Sequence, residues 1–179
     1  MKIQLKEYYS IIFLIFIIII IIILFYILES IIILPYIFFY GTLRKNEKNY
    51  YRIKNNKLIT YIGEGITHNN FTFFINKKTK YFPAITENTK YNKKIQIVGD
   101  LYKINNNGSL FSKIYFLYNL DKIENRYNRK IVKVICNNQI KYAYIYILKD
   151  DFLPKLRNKF FIKNGDYTKT IKKTSKYIK

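Results

Sequence analysis

Apolar and polar positions divide the chain into two unlike parts. From Ile11 to Leu28 the sequence IIFLIFIIIIIIILFYIL contains no charge, glycine or proline. At ~1.5 Å per residue, a helix of this run nearly spans a ~30 Å hydrocarbon core, so the pattern predicts an uncleaved membrane anchor through residues 11–28. A cleaved signal peptide is the competing reading. Its apolar region is usually ~7–15 residues long and leads into small residues at the cleavage site, whereas Glu29, Ser30 and IIILP follow here. A helix buried in a soluble core is a third option, but a helix apolar on every side needs more surrounding protein than this chain supplies. Lys2 and Lys6 precede the run and the next basic residue after it is Arg44. The positive-inside bias then predicts a single-pass protein with a cytosolic N-terminus, or entry into the secretory pathway if the segment is cleaved.

After Pro35 the pattern changes to short apolar or alternating runs separated by Asn, Lys and Gly. These predict strands at Tyr36 to Tyr40, Phe71 to Ile75, Ile95 to Leu101 with Tyr102 at its end, Arg129 to Ile135 and Ile140 to Leu148. The last two flank CNNQ, a connection short enough for a hairpin. Between the third and fourth, Phe111 to Arg126 spaces Ile114, Leu117, Leu120 and Ile123 as the apolar stripe of a helix. The expectation is an antiparallel-rich α/β domain of the α+β type over residues 35–179, preceded by an anchor or signal segment at 1–34. Gly63 and Gly65 in YIGEG lack the strand and helix context of a phosphate-binding loop.

Charge and soft ligands narrow the chemistry. The formal net charge is +21. It is mostly scattered lysine, with arginines only at 44, 52, 126, 129 and 157, so it reads as a solvated surface and no nucleic-acid partner is expected. Cys136 and His68 are the only cysteine and histidine, which excludes an intramolecular disulfide and a Cys/His zinc site. Neither a metal nor another cofactor is expected. Chemistry must come from carboxylates, hydroxyls, amides or backbone.

A series of short motifs runs through the second part. YGTL ends the first strand at Tyr40 to Leu43, with Asn49 six residues on. Next come Phe82-Pro83, then VGDLYKI at Val98 to Ile104, LDKIENRYNRKIVKV from Leu120 to Val134, AYIYIL at Ala143 to Leu148 and NGDY at Asn164 to Tyr167. In this order and spacing the series resembles the gamma-glutamylcyclotransferase-like family, most closely its gamma-glutamylaminecyclotransferase branch, over about Tyr36 to Lys169.

That resemblance implies a small mixed β-barrel with flanking helices. It also implies cyclisation of a small-molecule gamma-glutamyl amine or peptide to 5-oxoproline and a free amine. It puts the acid/base on Glu124 and the glutamyl-binding rim on Tyr40, Gly41, Thr42 and Leu43. Asp121, three residues before Glu124, reads as structural or as a neighbour raising the glutamate's proton affinity. Tyr127 and Arg129 read as fixing the helix to the next strand, with a substrate carboxylate as the other role for Arg129. Asp100 stands where a glutamate is common and Tyr167 where a tryptophan is common. The alternative function is an inactive binding module of the same fold, membrane-anchored, whose basic surface meets anionic lipid or another chain.

Overall fold

The computed structural model describes residues 9, 11–24, 34–76, 82–87, 90–91, 93–154 and 159–175, with side chains as far as 172. Contacts divide the chain into two units, Met1–Leu34 and Pro35–Lys179. In the first, residues 11–24 form helix α1. Among the described residues no helix is long and apolar enough to cross a membrane. This overturns the expected single-pass topology, and residues 25–28 of the predicted span lie outside the described residues.

The second unit is built on a closed barrel of five strands. These are β1 (Tyr36–Phe39), β2 (Ile59–Thr67), β6 (Val98–Ile104), β7 (Tyr127–Cys136) and β8 (Gln139–Leu148), in the order β1-β6-β2-β7-β8. One parallel contact, Ile37 opposite Tyr144, closes the ring, and the remaining pairs are antiparallel. Closure leaves the barrel no exposed edge. A smaller sheet places β3 (Phe71–Asn76) between β4 (Phe82–Thr86) and two short strands, β5 (Lys94–Ile95) and β9 (Lys159–Phe161). Phe38, Phe71, Phe73, Leu101, Val134 and Ile145 belong to one buried cluster drawn from both sheets.

Local sequence explains much of this. Asn137 and Asn138, between β7 and β8, have φ of 50° and 59°. Asparagine tolerates this left-handed region, and a two-residue turn with both φ positive matches the twist of its strands, so CNNQ is a tight hairpin. Helix α2 (Leu110–Ile123) starts at Ser109, whose hydroxyl accepts from the Ser112 amide at 3.2 Å. It ends three residues earlier than the sequence pattern suggests. Its buried face is Lys113, Phe116, Leu117 and Leu120, whereas Ile114 and Ile123 are exposed. The buried set has i, i+3, i+4, i+7 spacing; it keeps Leu117 and Leu120 of the predicted stripe and takes Lys113 and Phe116 in place of Ile114 and Ile123.

The barrel and helix α3 (Tyr167–Ser175) are joined by a buried ion cluster. Arg44, in the segment after β1, is 5% exposed, and its Nε meets Asp100 Oδ1 of β6 at 3.2 Å. Nη1 meets Asp166 Oδ1 at 3.0 Å, and Nη2 meets Glu64 Oε2 of β2 at 2.7 Å. The Lys45 amide donates to Asp100 Oδ2 at 2.6 Å. Burial opposes the charge on Arg44, but the three carboxylates outweigh it and raise the pKa. Asp166 also caps α3, accepting from the Lys169 amide at 3.3 Å. Gly165 before it has φ of +69°, and a Cβ there would lie 2.1 Å from the Gln96 carbonyl oxygen, so only glycine fits the turn.

Removing the cation leaves Asp100 buried with no countercharge among the described residues and Asp166 with only the exposed Lys169 ammonium at 3.5 Å. Arg44→Met should cost ~3–5 kcal/mol, the range for breaking a buried pair from one side. Urea unfolding of both proteins checks this, and a loss under ~1 kcal/mol contradicts a structural role for the cluster.

Candidate active site

A pocket opens where β1 ends, lined by Tyr40, Gly41, Thr42, Leu43, Pro83, Glu124, Tyr127 and Tyr146, among others. Its rim is the turn that follows the strand. The Gly41 carbonyl accepts from the Arg44 amide at 3.0 Å and the Thr42 carbonyl from the Asn49 amide at 2.8 Å. The Asn49 side chain closes the same turn, Nδ2 donating to Thr42 Oγ1 at 2.9 Å. The carbonyls are thus engaged within the loop, while the amides of Gly41, Thr42 and Leu43 donate to no described residue. All three residues line the pocket. A Cβ on Gly41 would stand 2.5 Å from Pro83 Cγ, so glycine lets the rim lie against the proline ring of β4.

Buried tyrosines frame the pocket. The Tyr40 hydroxyl donates to the Tyr146 carbonyl at 2.7 Å, tying the end of β1 to β8. The Tyr127 hydroxyl donates to the Pro83 carbonyl at 2.9 Å, tying β7 to β4. Burial first, then proximity to Glu124, holds the Tyr40 phenol well above its ordinary pKa. Tyr127 is raised by burial, by Tyr40 and by Glu124. Both therefore stay protonated at neutral pH as hydrogen-bond donors.

Glu124 is the C-cap of α2, beyond its last helical residue. Its amide donates to the Leu120 carbonyl and its carbonyl accepts from the Tyr127 amide, both at 2.8 Å. The turn leads directly into β7, which leaves the carboxyl little freedom of position. Burial raises its pKa from 4.5 to about 7, with Arg52 opposing the rise. A helix C-terminus also disfavours an anion. The result is a carboxyl able to gain and lose a proton at neutral pH.

Of the residues singled out from sequence, Tyr40, Gly41, Thr42, Leu43, Glu124 and Tyr127 come together here. Asp121 and Arg129 do not line the pocket. Asp121 Oδ1 accepts from the Tyr146 hydroxyl at 2.7 Å, and Oδ2 lies 3.5 Å from Arg129 Nη2. The Arg129 guanidinium lies over the Tyr144 ring at 4.8 Å. The pair joins α2 to the β7–β8 hairpin and supports Tyr146, and burial rather than Asp121 raises the proton affinity of Glu124. Sequence reasoning missed Tyr146, Pro83 and the Arg44 cluster as parts of one site. The signal was present in AYIYIL, Phe82-Pro83, GDLY and NGDY, each matched as a motif without a partner.

A folded pKa above the unfolded one means that the folded state holds the proton more tightly. Glu124 contributes that stability fully below about pH 4.5 and loses it as pH rises through about 7. Glu124→Gln, neutral throughout, should exceed the parent in stability by ~1–3 kcal/mol at pH 8, and the difference should shrink towards pH 5. Thermal melts of both proteins across that range check it. A difference that does not vary with pH contradicts the burial of the carboxyl.

The same architecture occurs in solved structures. An AIG2-like protein from Mus musculus superimposes with a TM-score of 0.57 at 16% identity, covering 73% of this chain and 86% of that one. YkqA from Bacillus subtilis gives 0.54 at 23% identity, over 79% of this chain and 43% of that one. An allophanate hydrolase from Kluyveromyces lactis gives 0.59 at 14% identity, over 78% of this chain but 21% of that one. At such identities the likeness concerns the fold alone. A search of curated protein sequences finds no match. The family described as gamma-glutamyl cyclotransferase, AIG2-like, matches residues 37–169. That span runs from the first barrel strand into α3 and includes both the rim and Glu124, and the chain belongs to this family.

Proposed function

We propose that this chain is an active gamma-glutamyl cyclotransferase, converting a gamma-glutamyl amine or peptide into 5-oxoproline and a free amine. The observation that carries the reading is Glu124, a carboxyl raised to about 7 on the wall of a pocket lined by Gly41, Thr42 and Leu43, whose amides donate to no described residue. In the reaction, the Glu124 carboxylate takes a proton from the substrate's α-ammonium. The freed nitrogen attacks the side-chain carbonyl carbon, and the five-membered ring forms as that carbon's bond to the departing nitrogen breaks. The protonated Glu124 then gives its proton to that nitrogen, and the second proton shed by the ring nitrogen as it becomes the lactam N–H ends on the released amine, which leaves as the ammonium.

The rest of the pocket serves the geometry of this step. Nucleophile and electrophile belong to one molecule, so holding it folded is a large part of the catalysis. The amides of Gly41 to Leu43 suit the oxygen that gains charge during ring closure. Tyr40 and Tyr127 close the walls and keep water from Glu124. No metal or redox partner is required by this chemistry. The intact rim and the perturbed Glu124 favour an enzyme over a binding module, which has no need of either.

A positioned acid/base contributes ~10²–10⁴-fold, so Glu124→Gln should lower 5-oxoproline release by that factor while the protein stays folded. For the parent, kcat/KM should rise with pH and level off above about 7, since the base must be ionised in the free enzyme. Normal release by the folded variant overturns the assignment.

A further inference from the structure

Helix α2 carries apolar residues on two faces. Besides its buried face, Phe111, Ile114, Tyr115 and Tyr118 form a second stripe, also at i, i+3, i+4, i+7, whose members are 46–79% exposed. A helix that is apolar all round is normally covered on every side. Single exposed apolar residues are ordinary, whereas a run of three aromatic rings and an isoleucine along one face marks a surface that meets a partner. None of the four is charged, in a chain with 32 lysines and arginines among 179 residues. Aromatic enrichment with depletion of charge is the composition of an interface core.

An open groove runs along this stripe, between α2 and residues 50–58 of the segment after β1. Tyr115 belongs to both stripe and groove, and Ile53, Leu58, Phe116, Leu120 and Ile123 supply the rest of the apolar lining. On the helix the lining extends from Ser112 to Ile123, about 16 Å at ~1.5 Å per residue. Both walls are fixed. The Asn105 amide donates to the Leu58 carbonyl at 2.7 Å, and Asn105 Nδ2 donates to the Lys57 carbonyl at 2.9 Å. A Cβ on Gly108 would lie 2.5 Å from Leu58 Cδ2, so the segment is seated against the start of α2. The groove shares no lining residue with the Glu124 pocket.

The two elements that form the groove are basic. Arg52, Lys54 and Lys57 on the segment and Lys122 on the helix are all exposed. Their one carboxylate, Asp121, is engaged with the Tyr146 hydroxyl and Arg129. A second copy of the chain would bring these cations against their own counterparts in a two-fold contact, with a formal net charge of +21 on each chain. An acidic partner meets opposite charge instead.

We propose that the groove docks an acidic amphipathic helix of another protein. The helix lays its apolar face between the α2 stripe and residues 50–58 and sets its carboxylates against Arg52, Lys54 and Lys57. Three turns of helix, about 16 Å, match the length of the lining, and anchors at i, i+3, i+4 and i+7 suit an apolar channel beside a helix. This docking is independent of the cyclotransferase reading, and it does not occupy the Glu124 pocket.

Binding of a synthetic peptide to the full chain, followed by fluorescence anisotropy, tests this. The probe has about 18 residues, enough to form a helix, with Leu and Phe repeating at i, i+3, i+4 and i+7 and Glu on the flanks. One control keeps the composition and scrambles the apolar spacing, and another replaces each Glu with Lys. The acidic probe should bind about tenfold or more tightly than either control, and more weakly as salt is raised. Phe111→Gln/Tyr115→Gln should lower its affinity about tenfold or more, and Lys54→Glu/Lys57→Glu about threefold or more. All four side chains are exposed, so each variant should keep the cooperative thermal melt of the parent. Equal affinity for either control, or undiminished binding by Phe111→Gln/Tyr115→Gln, overturns the proposal. Binding of phosphatidylserine vesicles that this double substitution abolishes, or a dimer in sedimentation equilibrium that it dissociates, gives the stripe to a lipid surface or to a second copy and overturns it as well.

Discussion

The Arg44 guanidinium, almost closed to solvent, holds carboxylates from β2, β6 and the start of α3, and it does so from the segment that forms the pocket rim. Most of its neighbourhood follows from that sharing. Burying one cation with two closed-off aspartates is tolerable because the carboxylates also accept from backbone, the Lys45 amide on Asp100 and the Lys169 amide on Asp166. The segment after β1 therefore has one allowed path. The Gly41 and Thr42 carbonyls accept from the Arg44 and Asn49 amides, and the amides of Gly41 to Leu43, which line the pocket, donate to no described residue. A rim of backbone donors thus needs no side-chain chemistry of its own, only an anchor a few residues downstream.

Glu124 presents the complementary problem. A carboxyl placed where burial disfavours its charge costs stability at high pH, and the fold accepts this because the proton can be held instead. Its position comes from the end of α2 rather than from a helix face. Two backbone bonds across the cap and the start of β7 fix it as firmly as a helical residue, and the carboxyl is brought to the pocket wall. The Asp121–Arg129 pair on the outer side then keeps Tyr146 and the hairpin against it.

Local patterns made some elements legible and hid others. The hairpin at CNNQ was readable because two asparagines in sequence suit a left-handed two-residue turn. Strand β2 was not, since its glycines resemble loop punctuation, and they belong to a strand whose pairing with β6 shifts register between Tyr61 and Gly63. The helix was found but carried too far, because Glu124 and Asn125 extend a helical composition while the backbone at Glu124 has already left it. The site residues from Tyr40 to Leu43, with Glu124 and Tyr127, came from ordered motifs. The ion cluster could not, because Arg44, Asp100 and Asp166 are ordinary surface residue types until topology brings them together. The apolar N-terminal run looked long enough for a membrane, and the described helix over 11–24 is not.

The central claim is that the fold holds Glu124 so that it exchanges a proton at neutral pH. Carboxyl-carbon NMR of the ¹³C-labelled protein, with Glu124→Gln identifying the resonance, measures that directly. A titration midpoint of about 7 is the result the structure predicts. A midpoint at the ordinary glutamate value of about 4.3 contradicts it and removes the basis for acid/base catalysis at this residue.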